Sequence, residues 1–115
     1  MEDVGDHEAD DRAGKAVGQL ELRYSIYCGT DWPRVLLSPL GRHELRKSFI
    51  RMAVIRSSDQ ATAAYILPIS ASPLPYGWGN MIAQQDSCVF AEAYLVTATG
   101  KRAGPRTSTS CLKGG

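Results

Sequence analysis

The clearest alternation of apolar and polar positions along the chain lies in residues 19–28, QLELRYSIYC. Leucine, tyrosine, isoleucine and cysteine at the even positions alternate with mostly polar residues at the odd positions. A period of two is typical of a β-strand that has one buried face and one face in water. The stretch therefore predicts a half-buried strand, and the GTDWP sequence that follows predicts a turn capped by the side chain of Asp31.

Four further apolar runs predict strands, over residues 34–38, 49–56, 61–70 and 89–99. Pro68 lies near the end of the third of these runs. It favours an edge position, because proline has no backbone N–H to donate to a neighbouring strand. The β-branched residues Thr97 and Thr99 favour a strand in the last run, and Gly100 ends it.

Residues 41–48 predict one short helix that leads into the strand over 49–56. One continuous helix over 42–56 stays open as an alternative, because Leu45, Phe49 and Met52 share one side of a helical wheel. The whole pattern predicts a mainly β fold, a β-rich α+β domain of about five strands in a small sandwich or open barrel.

The charge distribution divides the chain into three parts. The formal net charge is +1, but residues 1–12 carry six acids and one base, which leaves 12 bases and 6 acids in the rest. Residues 1–18 have almost nothing apolar to bury and predict an acidic disordered tail. We therefore expect a single globular domain over 19–102 and a polar, flexible tail over 103–115.

Neither a leader peptide nor a membrane span is expected. The acids after Met1 do not fit the basic start of a signal peptide, and no run of about 18 apolar residues exists. These features predict an intracellular, cytoplasmic protein whose three cysteines are reduced. Cys28 and Cys88 are expected to be small buried residues, and Cys111 an exposed thiol in the tail.

The sequence contains no pattern that predicts catalysis. Its two histidines are His7 in the acidic tail and His43 in the basic segment, and neither has a carboxylate partner at a telling spacing. No nucleophile elbow, P-loop, dinucleotide fingerprint or paired-cysteine zinc spacing occurs. We therefore expect no enzyme activity, no cofactor and no metal.

The stretch PLPYGWGN, residues 73–80, places two aromatic rings among prolines and glycines. It ends a segment, residues 60–85, that has no charged side chain. Interface cores are depleted in charge and enriched in tyrosine, tryptophan and methionine. The segment predicts a binding or assembly module that presents the aromatic loop of residues 73–82 to a protein partner or to a second copy of the chain. Its expected contacts are Tyr76, Trp78, Met81 and Trp32. That Trp78 plugs one end of the core stays open as the alternative.

A second hypothesis is a nucleic-acid-binding module for RNA or single-stranded DNA. Clustered bases attract phosphates by releasing counterions, and the basic segment 42–56 is opposed by a single acid, Glu44. The polyanion contacts would be Arg42, Arg46, Lys47 and Arg51. The same bases also fit a solvated surface, and the absence of any site fits an orphan reading frame or a viral or accessory protein.

Overall fold

A computed structural model of the chain describes residues 2–10, 16–25, 27–39, 48–67 and 76–113. The described residues form nine strands, which confirms the mainly β prediction. In chain order they are β1 (Glu2–Asp10), β2 (Ala16–Ser25), β3 (Thr30–Leu37), β4 (Phe49–Arg56), β5 (Thr62–Leu67), β6 (Tyr76–Trp78), β7 (Ile82–Ala83), β8 (Val89–Val96) and β9 (Thr107–Ser108).

The strands build two antiparallel sheets. The first sheet has the order β1-β2-β3-β6, and the short strand β7 also pairs with β3. The second sheet has the order β5-β4-β8-β9. In the part of the chain that the structure describes, β5 is therefore an edge strand, as Pro68 favours.

The hydrophobic core lies between the two sheets. The alternation in β2 turns Leu20 and Leu22 inward, and both are fully buried. They share the core with apolar side chains of every long strand of the second sheet, so the architecture is a sandwich. The buried cluster consists of Leu20, Leu22, Val35, Ile50, Met52, Val54, Leu67, Val89, Ala91, Ala93 and Leu95.

Strand β3 begins earlier than its apolar run predicts and includes the residues expected to form a turn. Pro33 lies inside this strand, and its carbonyl accepts a hydrogen bond from the Gly79 N–H at 2.9 Å. The missing N–H of Pro33 therefore points to the gap between β6 and β7, where no ladder partner is needed. This gap is the physical reason that a proline fits within a strand paired on both sides.

Two segments expected to be irregular tails pair with the sheets. Residues 2–10 form β1, which lies antiparallel to β2 with His7 opposite Leu20, and this differs from the disordered tail that composition predicts. Backbone pairing needs no apolar side chain, so an acidic segment can still complete the ladder of β2. The C-terminal segment runs back along β8, where the Leu112 N–H donates to the Val89 carbonyl at 2.9 Å.

The cysteine predictions are wrong in two respects. Cys88 and Cys111 form a disulfide, so Cys111 is not a free thiol. Cys28 is a free cysteine and is exposed instead of buried. The disulfide forms because the C-terminal segment returns to the start of β8, a contact that spacing along the sequence does not reveal.

The short helix predicted over 41–48 falls outside the described residues except for Ser48, which is buried. Residues Phe49–Arg56 are a strand, so the alternative of one continuous helix over 42–56 is wrong. Pairing on both sides, with β5 and with β8, satisfies the backbone of this segment as an inner strand of the second sheet.

Candidate docking site at the open side of the sandwich

Strand β6 directs Trp78 outward. Its register places Gly77 opposite Val35 and Trp78 opposite Arg34, and alternating positions on a strand face opposite sides. Gly77 faces the core so closely that a Cβ atom there would lie 2.9 Å from Cδ2 of Leu67. Trp78 is consequently 46% exposed, at the surface and not plugged into the core.

Gly79 holds the following turn against the core. A Cβ atom at this position would lie 2.6 Å from Cγ of Pro33 and 3.0 Å from Cγ of Met52. Because the backbone at Gly79 packs against these side chains, the adjacent residues project away from the sandwich. Met81 is 61% exposed. Gly77 and Gly79, on either side of Trp78, both face the core, so the ring between them is turned outward.

The edge strand β5 lies beside this turn. The side-chain amide of Asn80 donates a hydrogen bond from Nδ2 to the carbonyl oxygen of Ala64 at 3.0 Å. Ile66 on the same strand is 53% exposed, and Tyr65 is also exposed. We call the edge at which β5 meets the turn after β6 the open side of the sandwich. Tyr65 and Ile66 lie there on opposite faces of β5, and the β6 end of this edge carries Trp78, Asn80 and Met81.

Arg56 links the two sheets through its guanidinium group. Its guanidinium donates from Nη1 to the Ala83 carbonyl at 2.7 Å, which joins β4 of one sheet to β7 of the other. The same guanidinium forms two further hydrogen bonds with Asp59, at 3.0 and 2.9 Å. These bonds lower the pKa of Asp59 to about 2, so the pair stays ionised at neutral pH.

Two of the expected partner contacts, Trp32 and Tyr76, are not among the side chains that the structure shows to be exposed. Trp32 lies in β3 opposite Arg23, but it is only 8% exposed, so it offers a partner little surface. Tyr76 occupies the β6 position opposite Leu36, and its side chain falls outside the described part of the structure. By register Trp32 lies on the outer face of the first sheet, as Trp78 does.

The same outer face carries a buried ion cluster that the sequence pattern does not predict. Glu21 of β2 is buried and accepts a hydrogen bond from Nε of Arg34 at 2.6 Å. Nη1 of Arg23 lies 3.6 Å from the same carboxylate oxygen. Arg34 is also the residue opposite Trp78, so the ring lies next to a fixed cation.

The expected polyanion contacts do not assemble into a described basic patch. Arg42, Arg46 and Lys47 fall outside the residues that the structure describes. Arg51 lies in β4, where Nη1 is 3.4 Å from Oε1 of Glu92 and the guanidinium lies 5.5 Å from the ring centre of Tyr94. Arg51 therefore packs on the outer face of the second sheet against its own neighbours.

A cleft of about 420 Å³ opens on the outer face of the second sheet. Its carboxylate, Glu92, lies between two cations, because Nη1 of Arg106 is 3.7 Å from Oε2. The sequence could not reveal the cleft because its walls come from four strands, β4, β5, β8 and β9, and from residues next to them. It is lined by Ile55, Gln60, Thr62, Phe90, Glu92, Arg106 and Ser108.

Asp31 is a buried carboxyl group on the core side of β3. It is 1% exposed, and within the described residues neither carboxylate oxygen has a hydrogen-bond partner. Asp31 is therefore not the turn cap that the sequence predicts. Burial raises its pKa from 3.8 to about 6, because the charged form is poorly solvated there.

Replacing Asp31 with asparagine is expected to stabilise the protein at neutral pH. Because the pKa of Asp31 is higher in the folded than in the unfolded state, its protonated form contributes to the free energy of unfolding. This contribution is fully present below about pH 3.8 and is lost as the pH rises through about 6. The asparagine side chain carries no charge, so Asp31→Asn should raise the free energy of unfolding by about 1–2 kcal/mol at pH 7.5, less than the full linkage value because buried sites relax. Urea unfolding at several pH values measures it.

The matched control is Asp86→Asn, because Asp86 is exposed. Its stability should follow the wild type across the same pH range. An Asp31→Asn profile parallel to the wild type from pH 4 to 7.5 would show that Asp31 is solvated in the folded protein.

No family model, curated protein or solved structure matches the chain. Within the described residues, no group of three potential ligands among His, Cys, Asp and Glu is placed to hold a metal ion. The described segments also contain no helix long and apolar enough to cross a membrane.

Proposed function

We propose that this protein is a non-enzymatic binding and assembly module that docks protein chains, its own copy included, on the open side of its sandwich. The observation that carries the proposal is that Ile66 of β5, Trp78 of β6 and Met81 of the turn after β6 are all exposed near the edge where Asn80 joins this turn to β5. Exposed apolar side chains gathered at one edge are typical of protein–protein contact sites.

The chemistry of the open side supports a protein partner. Residues 60–85 carry no charged side chain, in a chain of which 22% of the residues are charged. Depletion of charge together with tryptophan, tyrosine and methionine is the composition of an interface core. The Asn80 amide supplies a polar group within the patch.

Trp78→Ala is expected to weaken self-association by about 30-fold, the equivalent of about 2 kcal/mol, because a half-exposed tryptophan at the centre of an interface is a typical hot spot. The melting temperature should change little, since the ring is not part of the core. Sedimentation equilibrium over a wide range of protein concentrations measures the association, and thermal unfolding measures the stability.

Tyr27→Ala is the matched control, because Tyr27 is an aromatic residue 96% exposed in the turn between β2 and β3. This variant should associate like the wild type. Raising the salt concentration from about 0.1 to about 1 M should leave the association intact, whereas a contact made by charges would weaken. A wild type that stays monomeric at every concentration would refute the proposal, as would equal association of the wild type and Trp78→Ala.

A further inference from the structure

The cleft on the outer face of the second sheet runs across the sheet from β5 to β9. By register Thr62 lies opposite Ile55, and Ile55 lies opposite Phe90. The wall on β9 belongs to Ser108, which pairs with Glu92 of β8. Because neighbouring strands lie about 4.8 Å apart, β5 and β9 are separated by about 14 Å at the backbone. The cleft volume of about 420 Å³ lies in the range of small-molecule sites, so its length and size suit an elongated small molecule.

The charges around the cleft favour an anion. Glu92 is flanked by Arg51 and Arg106, so two cations face one carboxylate. The Arg106 side chain is 57% exposed, and its Nη1 lies 3.7 Å from the Glu92 carboxylate, which is too long for a hydrogen bond. From Ala93 onward the chain carries bases but no acid. We therefore expect the β9 end of the cleft to attract an anionic group, to which Arg106 donates charge-assisted hydrogen bonds.

The middle of the cleft is apolar. Its lining there consists of Ile55 and Phe90, which are paired across β4 and β8. Ile55 is only 7% exposed and Phe90 is half-buried, so the two side chains form a floor and do not project into solvent. A flat aromatic ring packs well on such a floor, and the apolar area that it buries contributes affinity that a simple inorganic anion does not gain.

The β5 end of the cleft supplies hydrogen-bond acceptors. The Gln60 side chain donates from Nε2 to the Ser57 carbonyl at 3.1 Å, and the Thr62 hydroxyl donates to the Gln60 carbonyl at 3.0 Å. The hydroxyl hydrogen of Thr62 is therefore used within the turn, while Oε1 of Gln60 and Oγ1 of Thr62 have lone pairs that can accept. A hydroxyl group on the ligand would donate to these oxygens.

We propose that this cleft binds a small hydroxylated aromatic carboxylate. Arg106 and Ser108 bind the carboxylate, the apolar floor holds the ring, and a hydroxyl group at the far end of the ring donates to Gln60 or Thr62. The ligand site is independent of the assembly function proposed above, because none of the exposed side chains of β6 and the turn after it lines the cleft.

Titration of the full chain with para-hydroxycinnamate, followed in the amide NMR spectrum, tests the proposal. We expect saturable shifts at the amides of Phe90, Glu92 and Ser108. The neutral analogue para-hydroxycinnamamide should bind about tenfold more weakly, because it loses the charge-assisted bonds to Arg106. Cinnamate, which lacks the hydroxyl group, should bind about fivefold more weakly.

Arg106→Gln should raise the dissociation constant of para-hydroxycinnamate about tenfold and remove the preference for the carboxylate over the amide. The exposed position of this side chain favours an unchanged fold. Arg102→Gln is the matched control, since Arg102 is an exposed base that does not line the cleft, and it should bind the probe like the wild type. Ser108→Tyr fills the β9 end from an exposed position and should abolish binding.

The outcomes separate the ligand site from the assembly function. The absence of saturable shifts up to about 10 mM probe would overturn the ligand site, as would shifts confined to other residues or equal affinity of the wild type and Arg106→Gln. Trp78→Ala should bind the probe like the wild type. A monomeric wild type that binds the probe in the cleft would support the ligand site and refute the assembly function.

Discussion

Replacing both Cys88 and Cys111 with serine is expected to lower the free energy of unfolding by about 3 kcal/mol. The disulfide closes a loop with a sequence separation of 23, which contains β8, the turn after it and β9. Opening that loop gives the unfolded chain more conformations, and the cost grows with loop length. Serine is chosen because Oγ of Ser57 lies 3.1 Å from Sγ of Cys88, and a hydroxyl keeps that polar contact.

The bond also fixes the C-terminal segment along β8. Thr109 and Leu112 donate backbone hydrogen bonds to Ala91 and Val89, both at 2.9 Å, and Thr109 Oγ1 accepts one from the Ala91 N–H. Without the disulfide the segment is held by these backbone bonds, by the pairing of β9 with β8 and by the packing of Leu112 against the core. Amide exchange at Thr109 and Leu112 should then become faster than in β4. Urea unfolding and hydrogen exchange measure the two effects.

Cys28→Ser is the control, because Cys28 is an exposed free cysteine. Its unfolding curve should match that of the wild type. Adding a reductant should shift the wild type to the midpoint of the double variant and leave the double variant unchanged. A wild type insensitive to reductant would show that the bond is absent or contributes nothing.

The disulfide also corrects the expected redox state of the cysteines. The sequence predicts three reduced thiols, whereas Cys88 and Cys111 are bonded to each other. The expectation of reduced cysteines followed from the opening residues alone, and the pairing depends on how the tail folds back.

Strands β2 to β5 and β8 were predictable because their signal is local. Leu20 and Leu22 alternate with polar residues within one strand, and the structure buries both. The short strands carry no such signal. Thr107 and Ser108 are polar, and they become β9 only because β8 offers its outward edge at Ala93 and Glu92.

The candidate site was predictable in part for the same reason. The absence of charge over 60–85 is visible in the sequence, and it marks Trp78 and Met81 as candidate contacts. Whether a ring faces outward depends on packing between distant residues. Gly77 meets Leu67 and Gly79 meets Met52, and these contacts decide the side on which Trp78 emerges.

The dependence on contacts between distant residues also explains the positions of Trp32 and Arg51. Trp32 lies in a sequence typical of a turn, yet pairing of β3 with β2 places it opposite Arg23 and buries it. In the sequence Arg51 is one more base in a basic segment, and its partner Glu92 lies 41 residues away in β8. Side-chain pairs across strands are set by register, which the sequence pattern of one strand does not contain.

Leu22→Ala and Ile66→Ala form a matched pair that tests the division of the molecule into core and docking surface. Leu22 is fully buried between the sheets, so its truncation should lower the free energy of unfolding by about 3–4 kcal/mol, through lost burial and the cavity left behind. Ile66 is 53% exposed, so its truncation should cost the monomer under about 1 kcal/mol.

The association of the two variants should show the reverse order. Ile66→Ala removes apolar area at the open side and should weaken self-association, while Leu22→Ala, measured at a temperature where it is folded, should leave self-association intact. Urea unfolding at low protein concentration and sedimentation equilibrium at high concentration give the two quantities independently. Equal loss of stability in both variants would mean that Ile66 belongs to the core, and the surface argued to bind a partner would then be part of what holds the sheets together.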